Sequence, residues 1–204
     1  MTPEVLTNEV RSPAFPSVKP AMGLRDIFRQ KKKDPEIDPL HDLVLSKLKV
    51  GYFLDYDHKT WEVTAYNLYG YGDGDSSEEW ELTSGREKCY LERSDEDEVE
   101  WILGKKIPIG SLSGGVRQYI IQHDDPPEQV VLKEKIYYLD TSGAGYMSPG
   151  GKEPRQEFVY WGFVDEEDEN CLTIEQWSET EFELTSGHYV EEYQFTDILP
   201  GGGE

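Results

Sequence analysis

Between Trp61 and Trp101 the chain reads WEVTAYNLYGYGDGDSSEEWELTSGREKCYLERSDEDEVEW, strand-length runs with Trp or Tyr on one parity, broken by acidic, Gly-bearing turns. A period of two is the mark of a strand, because successive side chains point to opposite faces. A looser version returns from Ile136 to Trp177. The sequence therefore predicts a mainly β fold over residues 50–200. The strands are antiparallel, arranged as a barrel or as packed sheets, and built from two pseudo-repeated halves, about 50–115 and 116–200. A short N-terminal helix is expected to dock on this body.

The strand readings continue through Glu79–Leu82 and Lys88–Arg93, a hairpin turning around Ser84-Gly85-Arg86, and then Val99–Leu103. Gln118–Gln122 and Gln129–Leu132 also read as strands. The stretch from Gly143 to Arg155 is rich in Gly, lacks a period and reads as a loop. Trp80 followed by Leu91-Glu92 echoes Trp161 followed by Ile174-Glu175, each a Trp strand leading through an acidic turn to an aliphatic–Glu pair. Leu-Thr-Ser-Gly occurs at 82–85 and again at 184–187 in a different frame, and is read as a reused turn.

Ahead of this body, residues 1–21 hold Pro13, Pro16 and Pro20 without a sustained period and are expected to be a disordered extension, with translation beginning at Met22. Residues 22–33 form a basic amphipathic segment. On a helix Leu24, Ile27 and Phe28 share one face, and Lys31, Lys32 and Lys33 follow at once. That pattern suits contact with an anionic membrane surface or with a partner's groove. In 34–49, Asp38 and Pro39 look like a helix start, and Leu40, Leu43, Val44 and Leu48 make an apolar stripe.

Charge narrows the functional classes. The formal net charge is −22, and residues 1–50 carry 9 Lys/Arg against 7 Asp/Glu, so the acidity belongs to the β body. Such a surface repels phosphate backbones, and no nucleic-acid partner is expected. Cys89 and Cys171 are too few for a disulfide framework and each sits in a strand, so both read as small buried apolar groups in a reducing compartment. Neither a secretory leader nor an apolar span of membrane length is expected from the sequence. The expected location is the cytoplasm, with peripheral contact to the inner membrane through residues 22–33.

No catalytic pattern stands out. His41, His58, His123 and His188 have no metal-ligand spacing, Asp73-Gly-Asp75 lacks the rest of a calcium loop, and Gly110–Gly115 lacks the Lys-Ser/Thr ending of a phosphate loop. Neither a metal nor a cofactor is predicted. What does stand out is carboxylate interleaved with aromatic: Glu79 beside Trp80, Glu100 beside Trp101, Glu175 near Trp177. If those positions are exposed, carboxylates and ring faces together suit a polycation. Plain alternation, with Trp inward and Glu outward, explains the same pattern and is the preferred reading.

Three segments carry a family resemblance. Val50-Gly-Tyr-Phe-Leu-Asp-Tyr-Asp-His-Lys-Thr-Trp-Glu-Val63, then Glu79-Trp80-Glu-Leu82, then Tyr160-Trp161 through Leu172-Thr-Ile-Glu-Gln-Trp177, resemble a bacterial family of domains of unknown function, DUF4178, over roughly residues 48–200. The resemblance implies an accessory role in an envelope or stress system and carries no catalytic signature. The resulting expectation is a non-catalytic interaction or scaffold module with protein partners. The alternative is a binding protein for a small polycation such as a polyamine, using Trp80, Trp101, Trp177, Glu79 and Glu175.

Overall fold

The structure is a computed structural model and describes residues 43–72, 74–94 and 98–201. Eleven strands run in chain order: β1 (Phe53–Tyr56), β2 (Lys59–Tyr71), β3 (Ser76–Ser84), β4 (Glu87–Ser94), β5 (Glu100–Ile107), β6 (Gln129–Leu132), β7 (Lys135–Pro149), β8 (Gln156–Val164), β9 (Asn170–Gln176), β10 (Phe182–Tyr189) and β11 (Thr196–Leu199). Among the described residues one α-helix, α1 (Val116–His123), stands between β5 and β6.

Eight of the strands close into an antiparallel barrel in the order β2-β3-β4-β5-β10-β9-β8-β7, with β7 returning to pair with β2. The long strands β2 and β7 each belong to two neighbourhoods. The first residues of β2 pair with β1 and its last five with β7, and β7 likewise pairs first with β6 and then with β2. Between the two neighbourhoods each long strand has a bulge, at Val63/Ala65 in β2 and at Leu139/Thr141 in β7. A bulge bends a strand and shifts its parity. These two let β2 and β7 leave the ring and carry β1, β11 and β6 across its outer faces.

The apolar cores lie under those coverings and outside the barrel. One gathers Leu54, Trp61, Val63, Trp80, Leu82, Leu91, Trp101 and Leu103 beneath Leu45, Leu48 and Phe195. The other gathers Trp161, Phe163, Leu172, Ile174 and Leu184 beneath Val116 and Ile120 of α1 and Val130 and Leu132 of β6. Both faces of the barrel strands are thus covered, the outer by apolar side chains and the inner by the lumen.

The two halves share an order of elements, a short strand, a long bulged strand and three more. Their echo is also a spatial one: Trp80 pairs across strands with Leu91, and Trp161 with Ile174. The duplication of the halves remains a proposal.

Several local expectations change. Of the helix read over 34–49, residues 34–42 lie outside the described residues. Over 43–49 the backbone is extended at Val44 and makes a single 3-10 turn at Leu45–Lys47. Leu45 and Leu48, three apart, share a face of that turn and are the buried pair. The Leu45 N–H donates to Glu192 Oε1 at 3.3 Å. The one short helix lies instead over Gln118–Gln122, where the β-branched pair Ile120-Ile121 had suggested a strand. Val116 and Ile120, four apart, are its buried face, and Gly115 and Asp124 bound it with left-handed backbone.

The Gly-rich segment from 143 is strand as far as Pro149, because its glycines sit under rings and backbone. A Cβ on Gly145 would meet the Gly70 carbonyl at 2.8 Å and the Phe158 ring at 3.0 Å. The second Leu-Thr-Ser-Gly is likewise strand, inside β10, whereas the first turns at Gly85.

Candidate functional site

The inner parity of the ring strands lines a cavity of about 500 Å³. Its walls are polar. Glu79 of β3 and Glu92 of β4 are direct cross-strand partners, and Glu175 of β9 stands opposite Tyr160 of β8 and Glu183 of β10. Tyr69, Tyr71, Tyr90 and Tyr160 supply ring faces between them.

Each carboxylate is held differently. Glu92 Oε1 accepts from Ser77 Oγ at 2.7 Å, and the Tyr71 hydroxyl, 3.2 Å from Ser77 Oγ, supports the same group. Glu79 Oε1 accepts from Asn67 Nδ2 at 2.8 Å. Glu175 makes no hydrogen bond among the described residues. Burial pushes the Glu79 carboxyl up to about 7, against the Asn67 hydrogen bond and the Lys106 ammonium, with Glu92 and Glu183 adding to the rise. Burial pushes Glu175 up to about 8, again against Lys106, with Glu79, Glu183 and Glu92 adding. Glu92 is also raised by burial, though Ser77 and Tyr71 oppose it. Burial, and then the charges of Glu79, Glu175 and Glu92, keep Tyr69 protonated.

The two ends of the lumen differ. At one end Glu100, Asp140, Val164 and Tyr189 are shared with an outer recess of about 390 Å³, which Asp168 completes. Burial first, and then Cys171, Glu100, Asp140 and Asp168, raise the Tyr189 hydroxyl to about 12. At the other end Lys106 is ion-paired with Glu183, and its ammonium lies 4.7 Å from the Tyr90 ring centroid. An acidic mouth and low-dielectric walls concentrate cations.

The five ligand-binding residues taken from the sequence are divided by this arrangement. Glu79 and Glu175 line the lumen together. Trp177 lies beyond Glu175, its ring 4.9 Å from that of Phe158 and its Nε1 without a hydrogen-bond partner among the described residues. Trp80 and Trp101 are not on the surface. They are 1% and 5% exposed, lie 5.9 Å apart in the outer core, and Trp80 Nε1 donates to the Leu48 carbonyl at 3.1 Å. The alternation is real, but its sense is corrected. Trp faces outward from the ring into a covered core, and these Glu face inward.

Glu92 was missed, yet the hairpin could have found it: a two-residue turn at Gly85-Arg86 sets Ser84 opposite Glu87 and so Glu79 opposite Glu92. Leu24, Ile27, Phe28, Lys31, Lys32 and Lys33, named for membrane or partner contact, lie outside the described residues. Cys89 and Cys171 are free and buried, and burial raises each thiol to about 12. Among the described residues no group of three His, Cys, Asp or Glu side chains is placed to hold a metal ion.

An uncharacterised protein of Aquifex aeolicus (strain VF5) is 29% identical over 178 residues, which is 87% of this chain and 96% of that relative. No solved structure matches. The family described as domain of unknown function (DUF4178) matches residues 49–192, a span that takes in all eight strands of the closed ring, and the chain belongs to that family.

Proposed function

We propose that the barrel is a non-catalytic binding module for a small organic ammonium, taken into the lumen between its carboxylates. One observation carries this reading: Glu79, Glu92 and Glu175 share one buried cavity, and the cation acting on Glu79 and Glu175, Lys106, is already paired with Glu183. A buried carboxylate without a partner either protonates or acquires a cation. A ligand ammonium supplies that partner, and the tyrosine faces add cation–π attraction of about 0.5–2 kcal/mol each. An anionic ligand would meet repulsion at the mouth and again at the deep carboxylates.

Calorimetric titration of spermidine into the full chain at physiological salt tests the reading. Saturable binding is expected, weakened about tenfold by Glu175→Gln, the equivalent of about 1.4 kcal/mol. Trp80→Phe, which alters the outer core, leaves it unchanged. Heat that disappears with modest added salt, or a Glu175→Gln variant that binds as tightly, contradicts it, because a buried pair is weakly screened.

A second reading is an interaction or scaffold module of a bacterial envelope or stress-associated system, with a protein partner. Two observations favour it. Among the described residues strand β11 pairs with β1 alone and carries Leu199 opposite Phe53, both exposed, so an apolar edge is available for an added strand. The basic segment 22–33 adds attraction to anionic lipid. Deleting residues 22–33 is then expected to lower co-sedimentation with anionic liposomes; unchanged sedimentation removes the membrane part.

A further inference from the structure

We infer that the lumen selects a linear α,ω-diamine, one ammonium seated among Glu79, Glu92 and Glu175 and the other at Glu100 beside the mouth. This deepens the cation-binding reading above and rests on it.

The deep tier is more than a cluster of acids. The Glu79 side chain is 8% exposed and lines the cavity, and while its Oε1 is held by Asn67, its Oε2 has no hydrogen-bond partner among the described residues. On a side chain this enclosed, a carboxylate oxygen that opens on the cavity is a place for an ammonium N–H. Along β5 the inward parity runs through Glu100, Ile102 and Gly104, which line the cavity, to Lys106, which is paired with Glu183 and lies beyond the lining. A ligand chain seated deep therefore has to run back toward the mouth.

Strand geometry sets how far back the second charge meets a partner. Glu92 pairs with Ile102, and Glu100 stands two residues nearer the mouth on the same face of β5. That is a rise of about 7 Å at about 3.4 Å per residue. Extended butane-1,4-diamine separates its two nitrogens by a comparable distance. Between the tiers the wall is Ile102 and, directly across from it, Tyr189, both lining the cavity, which suits a run of methylenes. A compact quaternary ammonium fills one tier only, and it has no N–H for Glu79 Oε2.

The experiment compares butane-1,4-diamine, n-butylamine and tetramethylammonium by calorimetry on the full chain, with circular dichroism confirming that each variant is folded. The diamine is expected to bind about tenfold more tightly than n-butylamine, and Glu100→Gln to weaken the diamine about fivefold and n-butylamine far less. Equal affinity for diamine and monoamine, or a Glu100→Gln variant that weakens both alike, overturns the two-tier selection and leaves the cation reading standing. Binding by none of the three, together with no response to spermidine, overturns both.

Discussion

Trp80→Ala is expected to destabilise the protein by about 3–5 kcal/mol, the range for truncating a fully buried aromatic side chain. Three contacts go at once. The Trp80 ring lies 5.9 Å from that of Trp101 and 5.7 Å from that of Tyr66, and its Nε1 holds the Leu48 carbonyl. Leu48 and Leu45 together seal the outer core where the chain approaches β1. Losing the indole leaves both a cavity and a buried carbonyl without its donor, and each adds to the cost. Chemical denaturation read by tryptophan fluorescence measures it. A loss under about 1 kcal/mol would contradict the outer placement of the core, since a surface aromatic costs little to remove.

The second large effect is in the pH dependence of stability without ligand. Glu79 and Glu175 have folded pKa values of about 7 and about 8, against an ordinary carboxyl value of 4.5. Between roughly pH 4.5 and 8 the native state keeps protons that the unfolded chain has released, so stability falls as pH rises through that window. The slope reaches at most about 1.4 kcal/mol per pH unit for each group. Asp165 acts with the opposite sign. Burial works to raise its pKa, but Lys135 and the donors of Asn170 and Glu169 overcome this and hold the carboxyl well below its usual range. Its contribution is present above pH 4 and is lost in acid. The Glu79→Gln/Glu175→Gln double variant is expected to be more stable than the parent by several kcal/mol at pH 8.5, the difference shrinking to no more than about 2 kcal/mol at pH 5. Thermal melts across that range decide. A flat profile for the parent would mean that these carboxyls are solvated.

Much of the fold could be read in the alternation after Val50, which by itself requires antiparallel strands with two unlike faces. The alternation does not say which face is the inside of a closed ring. Trp80, Trp101 and Trp161 belong to a face that becomes internal only because β1, β11, β6 and α1 cover it. Those coverings come from far along the chain, and nothing in a single strand announces them. Glu79 and Glu175 were singled out for their neighbours, Trp80 and Trp177, yet Glu79 reaches the site by standing on the parity opposite to Trp80 in β3, and Glu175 by standing opposite to the core residue Ile174 in β9. Glu100 and Lys106 share a face of β5 by parity alone, but that this face turns toward a lumen follows only once β5 is placed between β4 and β10. Helix α1 was hidden because Ile120-Ile121 favours a strand locally, while burial of Val116 with Ile120 favours one turn of helix. The glycines of β7 looked like a loop since their reason lies across the sheet, in Phe158, Tyr160 and Gly70.

The central claim is that a cation replaces protons on the lumen carboxylates. The spermidine titration, repeated at pH 7.5 in two buffers of different ionisation enthalpy, measures this directly. With carboxyl pKa values of about 7 and about 8, release of about one proton per spermidine bound is expected. Binding that releases no proton would place the ligand outside the lumen and contradict the account.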